Sequence, residues 1–192
     1  PRVREPIEGL LFAHHGVLPQ AHQGGKRPIG THDSGLGYLH ADGVIGALAI
    51  QPHATLPASI VAAAIQSLGA DADRVVSDLD PALPEVFVDP ALLERSLANV
   101  ISNAVRYSHG ADPVRVTAGV VDDHLDLSVV DRGPGIPVSE RTKVMAPFQR
   151  LGDTNTADGV GLGLSITRGF LEAMHGSLRL EEQGRRGGSA DL

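Results

Sequence analysis

Residues 99–107, with the sequence NVISNAVRY, constrain the fold of this chain more than any other stretch. At roughly 100° per residue of an α-helix, Asn103 and Arg106 lie about 40° and about 20° to either side of Asn99. The other side of the same helix carries apolar side chains, which are Leu93, Leu97, Val100, Ile101 and Ala104. A helix that faces only water usually carries Lys and Glu on its outer face. Two amides in register with an arginine therefore indicate that this face holds something polar and anionic.

Capping residues and apolar periodicity predict the surrounding elements. Asp89 followed by Pro90 is the pattern of a helix N-cap with proline at the first helical position, so the central helix is expected to begin there. Further helices are predicted over residues 57–68, 138–145 and 162–174, and strands over 47–53, 74–79, 85–88, 114–121, 124–130 and 177–181. Strands joined by hairpins and mixed with helices favour an α+β sandwich, in which helices cover one face of a mixed, mostly antiparallel sheet.

Composition excludes several classes of function. The 192 residues suit one domain, and a formal net charge of −7 with 3% aromatic residues leaves no basic surface for a nucleic-acid partner. The absence of cysteine excludes a disulfide framework and thiolate metal sites. No apolar run approaches the roughly 18 residues of a membrane span. We therefore expect no membrane contact by this segment and a cytoplasmic location, either alone or as the cytoplasmic part of a membrane-bound sensor.

Residues 1–44 differ from the rest of the chain, because they hold five of the nine histidines and their apolar residues keep no sustained period. We expect loops, one short helix and poor order here, and an ordered domain over residues 45–192. The histidines could form a metal site or lie in solvated loops. The lack of carboxylates at ligand spacing favours loops for all five, which are His14, His15, His22, His32 and His40.

Two glycine-rich stretches flank a polar loop at residues 149–158. DRGPGIP at 131–137 follows a predicted strand, so its aspartate can accept a hydrogen bond from an exocyclic amine while the glycines admit a planar ring; it can equally be a plain turn. GVGLGL at 159–164 leads into a helix, where backbone N–H groups can approach phosphate, and it too can be a plain turn. The loop between them has the length of a lid or of an ordinary surface excursion.

Taken together and in this order, these motifs over residues 46–188 resemble the ATP-binding catalytic domain of sensor histidine kinases, within the wider family that includes gyrase, Hsp90 and MutL. Residues 99–107 resemble the N box, 131–137 the first glycine box, 147–150 the F box and 159–164 the second glycine box. Residues 46–67, PFQRLGD and GVGLGLSITRG most resemble the KdpD potassium sensors of actinobacteria. The resemblance implies a two-layer α/β sandwich of the Bergerat type that binds ATP and Mg²⁺.

The resemblance also implies a role for each matching position. Asn103 would bind Mg²⁺, Asn99 would lie beside the metal or the phosphates, and Arg106 would contact phosphate, which makes these three the predicted catalytic set. Mg²⁺ is implied because neutral amides alone cannot offset the charge of a triphosphate. Tyr107 would lie against adenine, and Asp131 would accept from its amino group. The remaining positions would line the base pocket, anchor the loop or receive the phosphates, and are Gly133, Gly135, Ile136, Phe148, Arg150, Gly159, Gly161, Leu162, Gly163 and Leu164.

Asn99 separates two mechanisms of the family. In the hydrolysing branch, a glutamate stands four residues before the metal-binding asparagine and activates water. An amide at that position can bind and orient but cannot take a proton. We therefore expect phosphoryl transfer to a histidine, for relay to a response regulator, rather than ATP hydrolysis. The alternative is a kinase-dead, nucleotide-binding regulatory fragment.

Two parts of the family pattern are not matched. The acceptor motif is a histidine followed by an acid and, five residues after the histidine, by a proline; His14 with Pro19 comes nearest, but His15 replaces the acid. We expect the acceptor on a separate or missing dimerisation domain, and residues 38–48 to be the tail of its helical hairpin. After Gly188 the family continues with an apolar strand, so we also expect the sheet to lack its final strand and to expose an edge.

Overall fold

A computed structural model of the chain describes residues 7–14, 36–41, 44–108, 112–121, 123–146 and 163–181. The strands in these ranges are β1 (Ile7–His14), β2 (Leu36–Ala41), β3 (Val44–Ala49), β4 (His53–Thr55), β5 (Val75–Leu79), β6 (Val86–Val88), β7 (Val114–Val121), β8 (His124–Gly133) and β9 (Gly176–Leu180). The helices are α1 (Pro57–Gln66), α2 (Pro90–Tyr107), α3 (Val138–Val144) and α4 (Gly163–Ala173), with a 3₁₀ helix over Gly69–Arg74.

The main sheet of the described residues has the strand order β5-β7-β8-β1-β9. β7 and β8 form the predicted antiparallel hairpin, which runs from Arg115 opposite Val130 to Val121 opposite His124. β1 is antiparallel to both of its neighbours, whereas β5 is parallel to β7. The predicted α+β class, with a mixed and mostly antiparallel sheet, is confirmed.

β1 comes from the part of the chain in which the sequence predicts loops. It pairs along one side with β8 and along the other with β9, so that Phe12 lies opposite both Leu127 and Leu178. His14 is the last residue of this strand and His40 lies within β2, so the prediction of a loop histidine is wrong at both positions. β1 fills the place between β8 and β9. The predicted loss of a final strand concerns residues 182–192, which lie outside the described ranges, and the domain boundary at residue 44 stays a prediction.

The prediction that residues 38–48 continue a helical hairpin is also wrong. β2 and β3 form an antiparallel β-hairpin, with Tyr38 opposite Ala47 and Ala41 opposite Val44. The strand predicted over residues 47–53 is divided, because β3 ends at Ala49 and β4 begins at His53. β5 and β6 are neighbours in sequence but not in a sheet, since β6 pairs with β4.

α2 is the central helix of the core. The five apolar side chains predicted for its inner face are all buried, and Leu97 and Ile101 are completely so. They pack in one cluster with Val116 of β7 and Leu127 of β8. Each large aliphatic side chain that is buried in this way stabilises the fold by about 1.5–3 kcal/mol. None of the helices in the described ranges is both long enough and apolar enough to cross a membrane.

Asp89 fixes the start of α2, as its sequence predicts. Its Oδ1 accepts hydrogen bonds from the backbone N–H groups of Ala91 and Leu92, both over 3.1 Å. Its Oδ2 accepts from the backbone N–H of Gln51 over 2.8 Å. The Asp89 carboxylate is buried, so the helix start is tied to the segment that precedes β4.

Replacing Asp89 by alanine should lower the free energy of unfolding by about 1–2 kcal/mol, because a helix cap is lost and the backbone N–H of Gln51 loses its acceptor as well. Urea denaturation followed by circular dichroism measures the change. Asp80→Ala is the matched control, because the Asp80 carboxylate caps only an exposed turn through the N–H of Ala82. We expect that control to stay within about 0.5 kcal/mol of the wild type. Equal losses in the two variants would contradict the anchoring role of Asp89.

Candidate functional site

The amide face of α2 lies against the N-terminal half of α4. A Cβ atom built on Gly163 would lie 3.6 Å from Nδ2 of Asn103. One helical turn earlier on α2, Nδ2 of Asn99 lies 3.5 Å from Oγ1 of Thr167. The two contacts are four residues apart on each helix, and the residue numbers fall on α2 as they rise on α4. The helices are therefore antiparallel where they touch. Both asparagines are half-buried.

Asp131 and Gly133 are among the last three residues of β8, where they form a tight side-chain-to-backbone turn against the C-terminal end of α2. The backbone N–H of Gly133 donates to Oδ1 of Asp131 over 2.6 Å. A Cβ atom on Gly133 would lie 2.8 Å from this oxygen and 2.9 Å from the backbone carbonyl oxygen of Tyr107. The close approach of the turn to the helix therefore requires a glycine at position 133.

Gly133→Ala should destabilise the fold by about 1–3 kcal/mol, because the added methyl group overpacks a site between the Asp131 carboxylate and the backbone carbonyl of Tyr107. The urea midpoint measures this loss. Gly119→Ala on β7 is the control, since a Cβ atom there would meet nothing within 4 Å. A Gly133→Ala variant that is as stable as the Gly119→Ala variant would show that the turn and the helix end are not in contact.

Burial raises the pKa of the Asp131 carboxyl above its ordinary value, and the hydrogen bond from the N–H of Gly133 partly offsets this effect. The same hydrogen bond engages Oδ1. Oδ2 is therefore the oxygen with which Asp131 can accept a hydrogen bond from a ligand. A partly desolvated carboxylate is a strong acceptor for an N–H donor, because the surrounding dielectric is lower than that of water.

The chain continues from this turn through Gly135, whose φ of 81° lies in the left-handed region that favours glycine. The carbonyl of Ile136, which is half-buried, accepts a hydrogen bond from Nε of Arg141 over 3.3 Å. Nη1 of the same guanidinium donates to the carbonyl of Leu180 over 3.3 Å. Arg141 of α3 therefore ties the turn to the end of β9.

The other predicted site residues are placed as follows. Arg106 and Tyr107 lie at the exposed end of α2, where 54% of Tyr107 is accessible. Leu164 is half-buried and packs against the core. The predictions that fall outside the described residues are Phe148, Arg150, Gly159, Gly161 and Leu162. The C-terminal half of α2 thus contacts two of the predicted motifs, and the individual roles of these residues stay predictions.

Thr167 and Arg141 are contact residues that the sequence reasoning missed. Thr167 is completely buried, and it carried a signal in its place four residues after Gly163, which puts both on one face of the helix. Arg141 carried no such signal, because its partners are backbone carbonyls that any residue could supply.

The described residues contain no group of three or more His, Cys, Asp or Glu that could hold a metal ion. A metal at Asn103 would therefore take most of its ligands from water and from bound phosphate. Mg²⁺ fits such a donor set, because it usually keeps several waters and binds through few protein oxygens together with substrate phosphates.

Comparison with known proteins identifies the family. Residues 88–190 match the family described as histidine kinase-, DNA gyrase B-, and HSP90-like ATPase. The chain belongs to this family. The chain is 44% identical over 120 residues to the sensor protein KdpD of Rathayibacter rathayi. This alignment covers 62% of the chain and 14% of that relative. It is 47% identical over 106 residues to the KdpD of Mycobacterium tuberculosis strain CDC 1551, which covers 55% of the chain and 12% of that relative.

A solved structure supports the same assignment. The mycobacterial sensor histidine kinase MprB superimposes with a TM-score of 0.54 at 26% identity, over 65% of this chain and 80% of that one. The predicted resemblance and the Bergerat-type sandwich are confirmed, and the chain carries an ATP-binding domain of this family. It spans only 14% and 12% of the two KdpD proteins.

Proposed function

We propose that this chain is the ATP-binding catalytic domain of a two-component sensor histidine kinase. It would transfer the γ-phosphoryl group of ATP to a histidine on a separate dimerisation domain, for relay to a response regulator. The observation that carries this proposal is Asn99, a half-buried amide on the ligand-facing side of α2, at the position where the hydrolysing branch of the family has a glutamate. The similarity to KdpD and MprB supports it. Since the reaction requires ATP, we assign the domain to the cytoplasm, alone or as part of a membrane-bound sensor.

The chemistry of the acceptor explains why an amide suffices at position 99. Water must lose a proton to become a good nucleophile, and this requires a general base. A neutral imidazole already has a lone pair on one ring nitrogen. When that nitrogen attacks, a P–N bond forms, the bond from the γ-phosphorus to the bridging oxygen breaks, and ADP leaves with the electron pair. The protein then contributes positioning and charge compensation rather than a base.

The two contact regions of α2 suit the two ends of ATP. Asp131, Gly133 and Tyr107 meet at the end of the helix, where Oδ2 of Asp131 would accept a hydrogen bond from the adenine amino group. Asn103 and Asn99 lie about one and about two turns earlier, beside α4, where they would orient the phosphates. Asn103 would hold Mg²⁺ through its amide oxygen, and a bound Mg²⁺ compensates the charge on the phosphate oxygens during transfer.

Supplying the acceptor separately tests this function. The purified chain is mixed with Mg²⁺, ATP labelled at the γ-phosphate, and a dimerisation domain from a KdpD sensor; label should appear on that domain and be absent when its acceptor histidine is replaced by alanine. Nucleotide binding without any transfer would instead favour the kinase-dead regulatory fragment. Steady phosphate release in the absence of an acceptor would favour an ATPase and contradict the role given to Asn99.

A further inference from the structure

We propose that Thr167 is a positioning residue that holds the amide of Asn99 by its nitrogen, so that Oδ1 of Asn99 is the atom offered to the ligand. This inference rests on the proposed function, and it decides between the two partners predicted for Asn99. An amide that presents oxygen is matched to a cation or its bound water, whereas an amide that presents nitrogen is matched to a phosphate oxygen.

The burial of Thr167 is the first step of the argument. Its side chain is completely inaccessible, although it lies on a helix that borders the ligand-facing side of α2. A buried hydroxyl that lacks a hydrogen-bond partner is costly. The partner of Oγ1 is Nδ2 of Asn99, which lies on the facing helix α2 and is 68 residues away in the sequence.

The direction of this hydrogen bond is the second step. Oγ1 of Thr167 accepts the hydrogen bond from Nδ2 of Asn99 over 3.5 Å. Nδ2 of Asn99 can only donate. The pair Asn99 Nδ2 to Thr167 Oγ1 therefore turns Oδ1 of Asn99 away from Thr167. In the flipped amide, Oδ1 would take the place of Nδ2 and the hydroxyl would have to donate instead of accept.

The contrast with Asn103 is the third step. Where α4 faces Asn103 it presents Gly163, which has no side chain with which to hold the amide. α4 thus fixes the orientation of Asn99 and leaves room beside Asn103. A fixed acceptor next to an adjustable one suits a cation whose coordination is completed by phosphate and water.

Replacing Thr167 by valine tests the inference, because valine keeps the shape of the side chain and removes the hydroxyl. The readout is the ratio of the ATP dissociation constants measured by calorimetry with EDTA and with Mg²⁺. We expect Thr167→Val to reduce this ratio about 3- to 10-fold, which corresponds to the loss of one hydrogen bond, and Thr167→Ser to restore most of it. Thr117→Val on β7 makes the same chemical change outside the α2–α4 contact and should leave the ratio unchanged.

A double-mutant cycle separates positioning from a merely structural role. In an Asn99→Ala background, Thr167→Val should have no further effect on the ratio, since the side chain through which Thr167 acts is gone. An equal loss in both backgrounds, or a wild-type ratio in Thr167→Val, would overturn the inference. A wild-type chain that binds no ATP would overturn the proposed function instead.

A second measurement does not depend on the folding of the valine variant. In the wild-type chain, one of the two side-chain amide hydrogens of Asn99 should exchange with solvent about tenfold more slowly than the other, as seen in ¹⁵N-edited NMR spectra, because it is held by a buried oxygen. Equal exchange of the two hydrogens would overturn the assignment of Thr167.

Discussion

Replacing Asn103 by alanine should remove the Mg²⁺-dependent part of ATP binding. We expect the dissociation constant in the presence of Mg²⁺ to rise about 10- to 100-fold, the range for interactions that shape a metal site, while the value measured in EDTA changes little. The reason is that Asn103 would supply a protein oxygen to the metal, and Gly163 beside it offers no side chain that could replace it. Calorimetric titration with and without Mg²⁺ measures both constants.

The stability of the Asn103→Ala variant provides the control. Alanine is the better helix former, so the free energy of unfolding without ligand should be unchanged or slightly higher. Ser102→Ala, one position away and about 100° round the helix, should leave both dissociation constants as in the wild type. If Asn103→Ala retains wild-type affinity for ATP in Mg²⁺, the metal role of Asn103 is wrong.

Asp131→Asn should weaken ATP binding about 10- to 100-fold, because a site built around one hydrogen-bond partner strongly rejects a mismatched group. The asparagine oxygen can still accept from the N–H of Gly133, as Oδ1 of Asp131 does. Its NH₂ group then takes the place of Oδ2 and opposes the adenine amino group, donor against donor. Inosine triphosphate carries an oxygen in place of this amino group, so its affinity should rise while that for ATP falls. Parallel losses for both nucleotides would exclude base recognition by Asp131.

The stability of the same variant has its own pH dependence. Burial raises the pKa of Asp131 in the folded protein, so the folded state binds this proton more tightly than the unfolded state. Its contribution to stability is therefore fully present below the unfolded pKa and is lost as the pH rises through the folded pKa. Asp131→Asn has no proton to lose at this position. Without nucleotide, the melting temperature of Asp131→Asn minus that of the wild type should increase as the pH rises from the unfolded pKa through the folded pKa of Asp131. Thermal melts between acidic and neutral pH measure this difference.

Sequence patterns predicted those helices and strands whose structure is decided by residues close together in the sequence. The start of α2 follows from Asp89 and Pro90, because a cap and a proline act within one helical turn. The hairpin of β7 and β8 follows from two alternating runs separated by a short turn. β1 could not be found in this way, since its partners lie more than 100 residues away and a run such as LLFA has no alternation. Pairing over such distances is decided by the whole sheet.

The same distinction applies to the candidate site. Motif order made the amides of α2 and the turn at Asp131 candidates for the site, because each motif is contiguous in sequence. It could not identify Thr167, whose importance lies in a contact between helices, or Arg141, which binds two carbonyls of distant segments. Residues that position the candidate ligand-binding groups through contacts between distant segments can therefore be found only in the three-dimensional structure.

α2 is held at both ends, by the Asp89 cap at its start and by Gly133 against the carbonyl of Tyr107 at its finish. Because an α-helix rises about 1.5 Å per residue, a helix that is fixed at both ends holds Asn103 and Tyr107 about 6 Å apart along its axis. Inserting one residue between them would turn one group by about 100° relative to the other. The number of residues between the proposed metal ligand Asn103 and the proposed base contact Tyr107 is therefore constrained as tightly as their chemistry.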